Sequence, residues 1–367
     1  MLAHLASVLA PSKDVHGCSL ETCAVGARAR TRWGIMGTAR IADTVLAAMK
    51  DAPSASCIAI ASRSEEKAQR WGEQRGIEKA YGSYDQLLAD KEIDAVYIPL
   101  PTSLHVEWVV KAAQAKKHVL VEKPAAVNAA ELEVMIAACN ENGVQFMDGV
   151  MFMHNARLLK MQAAVNSEIG CIRRIVSSFT FSGSPDFFRD DIRVRNDGTG
   201  DPLGCLGDLG WYNVRVTLCM MNYRLPDWVS AHAISNDTGV SLGLTATLFY
   251  EKQSCLCTFD CGFETTSRNW LAISGTAGRI ILDGFTGSRD ELNSFEIAQS
   301  VSNAGARQVD TPLAITQQAQ MVENMCNIAQ TGKLKPQFGK VALDTQRVID
   351  ALQQSWQENG TKKHLLV

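Results

Sequence analysis

TRWGIMGTARIADTVLAAMK, residues 31–50, decides the fold. "TRWGIMG" reads as a strand, with Trp33, Ile35 and Met36 running into Gly37. "ARIADTVLAAMK" follows as a helix whose apolar positions recur at helical spacing. Gly37, Ala39 and Ala42 are small at the three positions where a dinucleotide-binding turn needs a tight bend, close backbone approach and close helix packing. The start of the helix presents free N–H groups suited to phosphates.

The same rhythm continues outward. Strands are read at "SASCIAIAS", "IDAVYIPLP", "HVLVEKP" and "VQFMDGVM", with a short strand and helix together in "KAYGSYDQLLAD". Helices are read between them at "SEEKAQRWGEQRG", "LHVEWVVKAAQAKK" and "NAAELEVMIAACNENG". Strands that are apolar throughout, interleaved with helices, predict a parallel sheet covered on both faces. Beyond about residue 155 the period changes. "LLKMQAAVNSEIG" is a helix, whereas "CIRRIVSSFTFSG", "WVSAHAIS", "LGLTATLFYE", "QSCLCTFDCGF", "NWLAISGTAGRIILDG" and "SFEIAQS" have sheet period, with a glycine hairpin turn in "SGTAGRIIL". The helix "CLGDLGWYNVRVTLCMM" interrupts them, and "GKVALDTQRVIDALQQSWQENG" closes the chain. The expected fold class is α/β. An N-terminal doubly wound parallel sheet (Rossmann fold) over residues 31–154 precedes an α+β domain over residues 155–367. That second domain carries a mostly antiparallel open sheet, and its last helix is expected to pack back on the first domain.

Composition narrows the function class. The 367 residues are 46% hydrophobic and 20% charged, with a formal net charge of −3. This is ordinary for a globular protein and favours neither nucleic acid nor anionic membrane as partner. No apolar run is long enough for a membrane span. Of the 11 cysteines, Cys255, Cys257 and Cys261 share one strand face with Phe259. Without a second ligand cluster they read as buried thiols of a reducing compartment, and no metal is expected. Residues 1–30 lack a clear period and read as a loosely ordered tail. A cytoplasmic location is expected, with organelle import through that tail as the alternative.

The end of the second strand selects the cofactor. NAD enzymes place an acid there, but "IASRS" offers Ser62, Arg63 and Ser64, which suit a ribose 2′-phosphate. NADP(H) is therefore expected in preference to NAD(H). "PLPTSLH" lies at the carboxyl end of the fourth strand, where ligands of such sheets bind. Pro99 and Pro101 stiffen that turn, Thr102 or Ser103 can cap the next helix, and His105 falls in its first turn as either a structural residue or a cofactor contact.

Lys123 emerges at the carboxyl end of the fifth strand in "HVLVEKP", before a proline that permits a trans or a cis bond. Its partners are sought in "GDLGWYNV", where a helix puts Asp208 and Tyr212 on one face. A free tyrosine has a pKa of roughly 10. A neighbouring ammonium is expected to lower it, with Asp208 orienting the lysine. In "SGSPDFFRDDIRVRNDGTGDPL", Arg193 and Arg195 are expected to pair with Asp190 and Asp191, with binding of an acidic substrate as the alternative.

"WGIMGTARIA", "EKP" and "GDLGWY" together resemble the glucose–fructose oxidoreductase, inositol dehydrogenase and rhizopine catabolism (Gfo/Idh/MocA) family over residues 31 to about 360. The D-x-G-x-Y form resembles the branch with dimeric dihydrodiol dehydrogenase and NADP-dependent D-xylose dehydrogenase. The resemblance implies that Lys123 is the catalytic lysine, Tyr212 the acid/base and Asp208 its support. It implies cofactor contacts from Gly37, Thr38, Ala39, Arg40 and Ile41, from Ser62, Arg63 and Ser64, from Pro99, Leu100, Pro101, Thr102 and His105, and from Glu122 and Lys123. His154 and Arg157 in "MFMHNAR" would line the substrate pocket beside Lys123 and Tyr212. The second domain's open sheet would form a homodimer or higher oligomer. Two departures matter: Ala39 replaces the usual glycine, and Tyr212 stands where inositol-type relatives have histidine. The expected reaction moves a hydride between NADP(H) and a small-molecule sugar or cyclic polyol, with a trans-dihydrodiol as alternative substrate. A non-catalytic NADP-sensing protein is the alternative of another class.

Overall fold

The computed structural model describes residues 30–198, 200–287, 293–299 and 305–365, so the expected N-terminal tail lies outside the described residues apart from Arg30. Among these, six parallel strands form one sheet: β1 (Thr31–Met36), β2 (Ala55–Ala61), β3 (Lys79–Tyr81), β4 (Ala95–Ile98), β5 (His118–Val121) and β6 (Phe146–Asp148), in the order β3-β2-β1-β4-β5-β6. The order reverses between β1 and β4, which opens a crevice at their carboxyl ends. The crossovers are α1 (Arg40–Asp51), α2 (Glu65–Glu73), α3 (Tyr84–Ala89), α4 (His105–Gln114) and α5 (Ala129–Asn142). β4 is buried at all four residues, because helices cover both faces.

The second sheet follows α6 (Ala156–Ser167). Its strands are β7 (Ile172–Ser182), β8 (Trp228–Ser235), β9 (Ser241–Tyr250), β10 (Cys255–Gly262), β11 (Glu264–Gly275), β12 (Gly278–Asp283), β13 (Ser294–Gln299), β14 (Arg307–Asp310) and β15 (Lys363–His364). Their order is β14-β13-β12-β11-β7-β10-β9-β8-β15, antiparallel except where β7 lies parallel to β10. The glycine-turn hairpin is present, with Ser274 opposite Arg279. On β10, Cys255, Cys257, Cys261 and Phe259 all face inward and are buried. The cysteines are free thiols, Cys255 and Cys257 with sulfurs 3.7 Å apart and Cys261 3.9 Å from Cys205.

Between the strands run α7 (Pro185–Asp190) and α8 (Trp211–Met220), the latter preceded by a π-helical turn at Leu206–Gly210. Two helices then return to the first sheet. α10 (Gln337–Gln357) is the expected closing helix and packs on α5, β6 and α8. The other, α9 (Gln317–Thr331), packs on α1. α9 is absent from the sequence reading, although Thr316 caps its start and Gly332 ends it in a left-handed conformation. Among the described residues no helix is long and apolar enough to cross a membrane.

The two halves are tied by a buried ion pair. Arg215 on α8 donates to Asp148 Oδ2 at 2.6 Å at the end of β6, and its Nε reaches Thr345 on α10 at 2.7 Å. Both charged residues are at most 3% exposed.

Candidate active site

A cleft of about 980 Å³ opens at the carboxyl ends of the parallel strands and extends to the start of α8. At one end lies the turn after β1. Gly37 has φ +117°, a conformation that L side chains rarely adopt, and a Cβ there would stand 3.0 Å from Leu100. Ala39 caps α1 without offering a side-chain hydrogen bond, so the first-turn N–H groups remain available to an anion. Thr38, Arg40 and Ile41 complete this wall. Ser62 and Arg63 face the same cleft at the end of β2, joined by Lys67 from α2. A backbone cradle that only a small residue fits, an uncapped helix start and two nearby cations suit a dinucleotide carrying an extra phosphate.

Not every expected contact reaches the cleft. Ser64 does not line it; its hydroxyl caps α2 by accepting from Lys67 N at 3.3 Å. His105 is also outside the lining, held between the carbonyls of Ala125 at 3.0 Å and Leu100 at 2.8 Å, and burial lowers its pKa. Pro99, Leu100, Pro101 and Thr102 do line it. Neither Thr102 nor Ser103 caps α4: a 3-10 turn at Thr102–Leu104 leads into that helix without a side-chain cap. Ser103 Oγ instead donates to Gly198 O at 3.3 Å.

At the other end Lys123 meets Asp208. The Lys123–Pro124 bond is cis. Lys123 Nζ donates to Asp208 Oδ1 at 2.5 Å and to the Asp208 carbonyl at 2.7 Å, and lies 4.8 Å from the Tyr212 ring centroid. Burial opposes the lysine's charge, but Asp208, Tyr212 and Glu122 more than offset it and its pKa is raised. Burial would likewise raise Asp208, but Lys123 and Arg193 hold it below the ordinary carboxylate value. Glu122, also in the cleft wall, accepts from Tyr97 at 2.6 Å, and burial raises its pKa.

Tyr212 departs from expectation in its acidity. Burial pushes its pKa up to about 12; the Lys123 ammonium pulls the other way and does not prevail. The side chain is a neutral phenol whose hydroxyl faces Met151 Sδ at 3.7 Å, with its ring against Phe179 and Phe152.

His154 and Arg157, expected in the substrate pocket, are not in the cleft lining. His154 stacks on Phe338 and bonds Asn324 at 2.7 Å, with burial and the nearby Arg215 lowering its pKa to about 3. Arg157 donates to the carbonyls of Gly284 at 2.8 Å and Phe285 at 3.3 Å. Both are core residues, each satisfied by polar partners from distant parts of the chain.

Several cleft residues were not legible in the sequence. Gln318 and Met321 come from the unread helix α9, and Asp201 and Lys67 from positions without a motif. Asp201 is buried, and burial followed by repulsion from Asp208 raises its pKa to about 7. Arg193 and Asp191 pair as expected, whereas Arg195 reaches the carbonyl of Asp190.

Comparison with known proteins agrees with this geometry. Residues 31–150 match an oxidoreductase family with an NAD-binding Rossmann fold, and residues 158–281 match the GFO/IDH/MocA C-terminal domain. A D-xylose 1-dehydrogenase (NADP(+)) of Haloferax volcanii is 34% identical over 68% of this chain and 74% of its own. The trans-1,2-dihydrobenzene-1,2-diol dehydrogenase of Xenopus tropicalis is 29% identical over 68% and 74%. The crystal structure of a 3-ketoreductase from Actinomadura kijaniata, in complex with NADP and TDP-benzene, superposes with a TM-score of 0.79 at 28% identity, covering 89% of this chain and 98% of that one. With both domains matched and a cleft of this construction, the chain belongs to the Gfo/Idh/MocA family of oxidoreductases.

Proposed function

We propose that this protein is an NADP(H)-dependent oxidoreductase acting on a hydroxyl or carbonyl carbon of a sugar or sugar-like cyclic polyol. One observation carries the reading. A phosphate-accepting turn at Gly37–Ile41 and the Lys123–Asp208–Tyr212 cluster line a single cleft. The turn and the start of α1 would hold the pyrophosphate, and Arg63 with Ser62 the 2′-phosphate. When bound, the nicotinamide supplies or accepts the hydride.

The chain's own residues manage the oxygen and its proton. Tyr212, a phenol well below its pKa, donates a proton to a carbonyl oxygen and recovers it from a hydroxyl in the reverse direction. Lys123, fixed by Asp208, places a positive charge beside the atoms where negative charge develops. Tyr212 and Asp208 are buried and the Lys123 side chain is 11% exposed, which strengthens these interactions. The relatedness to a dihydrodiol dehydrogenase supports a second reading, in which a trans-dihydrodiol is the substrate. We also read the open sheet as the surface where a second copy docks, which light scattering tests.

The deciding experiment follows nicotinamide absorbance with NADP+ and NAD+ across aldoses, polyols and a trans-dihydrodiol, for wild type and Lys123→Ala. Turnover of a sugar with NADP+, lost in the variant, is the expected result. Turnover confined to the dihydrodiol replaces the sugar with the second reading. Tight NADPH binding without any turnover makes the protein a sensor.

A further inference from the structure

We propose that Arg193 is a positioning residue of this active site: it acts through Asp208, holding that carboxylate against Lys123, and does not itself bind the substrate. The proposal rests on the reading of Lys123 and Asp208 given above. Arg193 belongs to the segment after α7 that forms one wall of the cleft, 15 residues before Asp208 in sequence. Each nitrogen of its guanidinium donates to a carboxylate. Nε and Nη2 grip the two oxygens of Asp191 at 2.8 and 2.9 Å, while Nη1 reaches Asp208 Oδ2 at 3.2 Å. Asp208 Oδ1 is the oxygen that accepts the hydrogen bond from Lys123. The four side chains therefore alternate in sign along one line: Lys123, Asp208, Arg193, Asp191.

The plane of the arginine is fixed as well. Its Cζ lies 4.7 Å from the Phe187 ring centroid and 5.5 Å from that of Phe181, and those two rings meet edge to face. A flat cation gripped on one edge by Asp191 and packed on two rings has little freedom, so its Nη1 defines where Oδ2 of Asp208 sits. The Nε/Nη2 edge of its fork, which suits a bidentate anion, is already taken by Asp191.

Arg193→Gln, Asp208→Asn and the double variant form the test, with Arg193→Lys as the conservative control. Arg193→Gln is expected to lower kcat roughly 10- to 100-fold with KM for substrate changed less than about threefold, as for a displaced reacting group. The double variant should be no slower than Asp208→Asn, because nothing remains for Arg193 to position. Independent losses that multiply, or a loss confined to KM, overturn the proposal.

A second readout needs no turnover. In full-length protein carrying 13C-labelled aspartate, the Asp208 carboxyl, assigned through Asp208→Asn, should titrate at higher pH in Arg193→Gln and return toward wild type in Arg193→Lys. The other groups that act on Asp208 are Lys123, Tyr212, Glu122, Asp201 and the Cys261 thiol, and all are unchanged in these variants. An unmoved titration overturns the proposal even if the protein turns over no substrate. A wild type without turnover whose Asp208 titration does move refutes only the enzymatic reading.

Discussion

Lys123 Nζ and Asp208 Oδ1 stand 2.5 Å apart across 85 residues of chain, each side chain 11% exposed. The pair joins the end of a parallel strand to a π-helical turn of the second domain, and it sets the charge of both groups. Replacing Asp208 by Asn removes the anion that offsets the burial of Lys123. The lysine pKa should then fall, so a reaction that needs the ammonium is lost as pH rises through that lower value. The alkaline limb of the kcat profile should move to lower pH, with kcat down about 10²- to 10⁴-fold. An unmoved alkaline limb would detach the lysine's charge from Asp208.

Tyr212→Phe removes the phenolic proton while leaving the ring against Phe179 and Phe152. Carbonyl reduction should slow by roughly 10²- to 10⁴-fold while NADPH binding, read by fluorescence, is unchanged. Because burial pushes the Tyr212 pKa up to about 12, reduction by wild type should show no alkaline loss attributable to this group up to pH 9. Near-normal reduction by the phenylalanine variant would assign the proton to another donor.

Arg63 decides cofactor preference in this reading. Arg63→Ala should weaken use of NADPH by about 10- to 100-fold, in keeping with the loss of one or two charge-assisted hydrogen bonds, and leave NADH nearly untouched. The ratio of kcat/KM for the two cofactors measures it. Equal losses with both would move the 2′-phosphate to Lys67 or elsewhere.

Asp201 makes stability depend on pH. Its ordinary value of 3.8 rises to about 7 through burial and the nearby Asp208. The folded chain therefore keeps a proton that the unfolded chain sheds, and this stabilisation is complete below about pH 4 and lost as pH rises to about 7. Asp201→Asn should gain little at pH 4.5 and be more stable than wild type at pH 8, by at most about 4 kcal/mol. Urea melts at the two pH values check this, and equal shifts at both would refute it.

Arg215 and Asp148 form a buried pair between the two halves. Arg215→Met leaves Asp148 without its cation and should cost about 3–5 kcal/mol. Differential scanning calorimetry should show a clearly lower Tm, whereas an unchanged Tm would mean that the pair contributes no net stability.

Much of this protein is written in its local sequence. The strands of the first sheet are apolar at nearly every position because helices cover both faces, and this pattern is visible without coordinates. Gly37 marks the turn because its φ of +117° is one that L side chains rarely adopt, and the small Ala39 and Ala42 follow it in the sequence pattern. Lys123, Asp208 and Tyr212 could be paired in advance because their chemistry is complementary and two of them share a helix face. α9 was harder: its Thr316 cap and Gly332 stop are local signals, but its polar first turn hides the apolar face that packs on α1.

What the sequence by itself determined, then, is the succession of strands and helices in the first sheet and the candidate groups of the cleft, since these follow from short-range periodicity and functional-group chemistry. Tertiary structure alone decided which polar residues face the cleft. His154 and Arg157 look like ligands in "MFMHNAR", yet distant Asn324, Gly284 and Phe285 satisfy them inside the core. Burial reversed the expected acidity of Tyr212, and desolvation depends on everything packed around a group. Arg193 meets Asp208 only because the segment after α7 folds back across the cleft, a long-range contact that no neighbouring residue encodes.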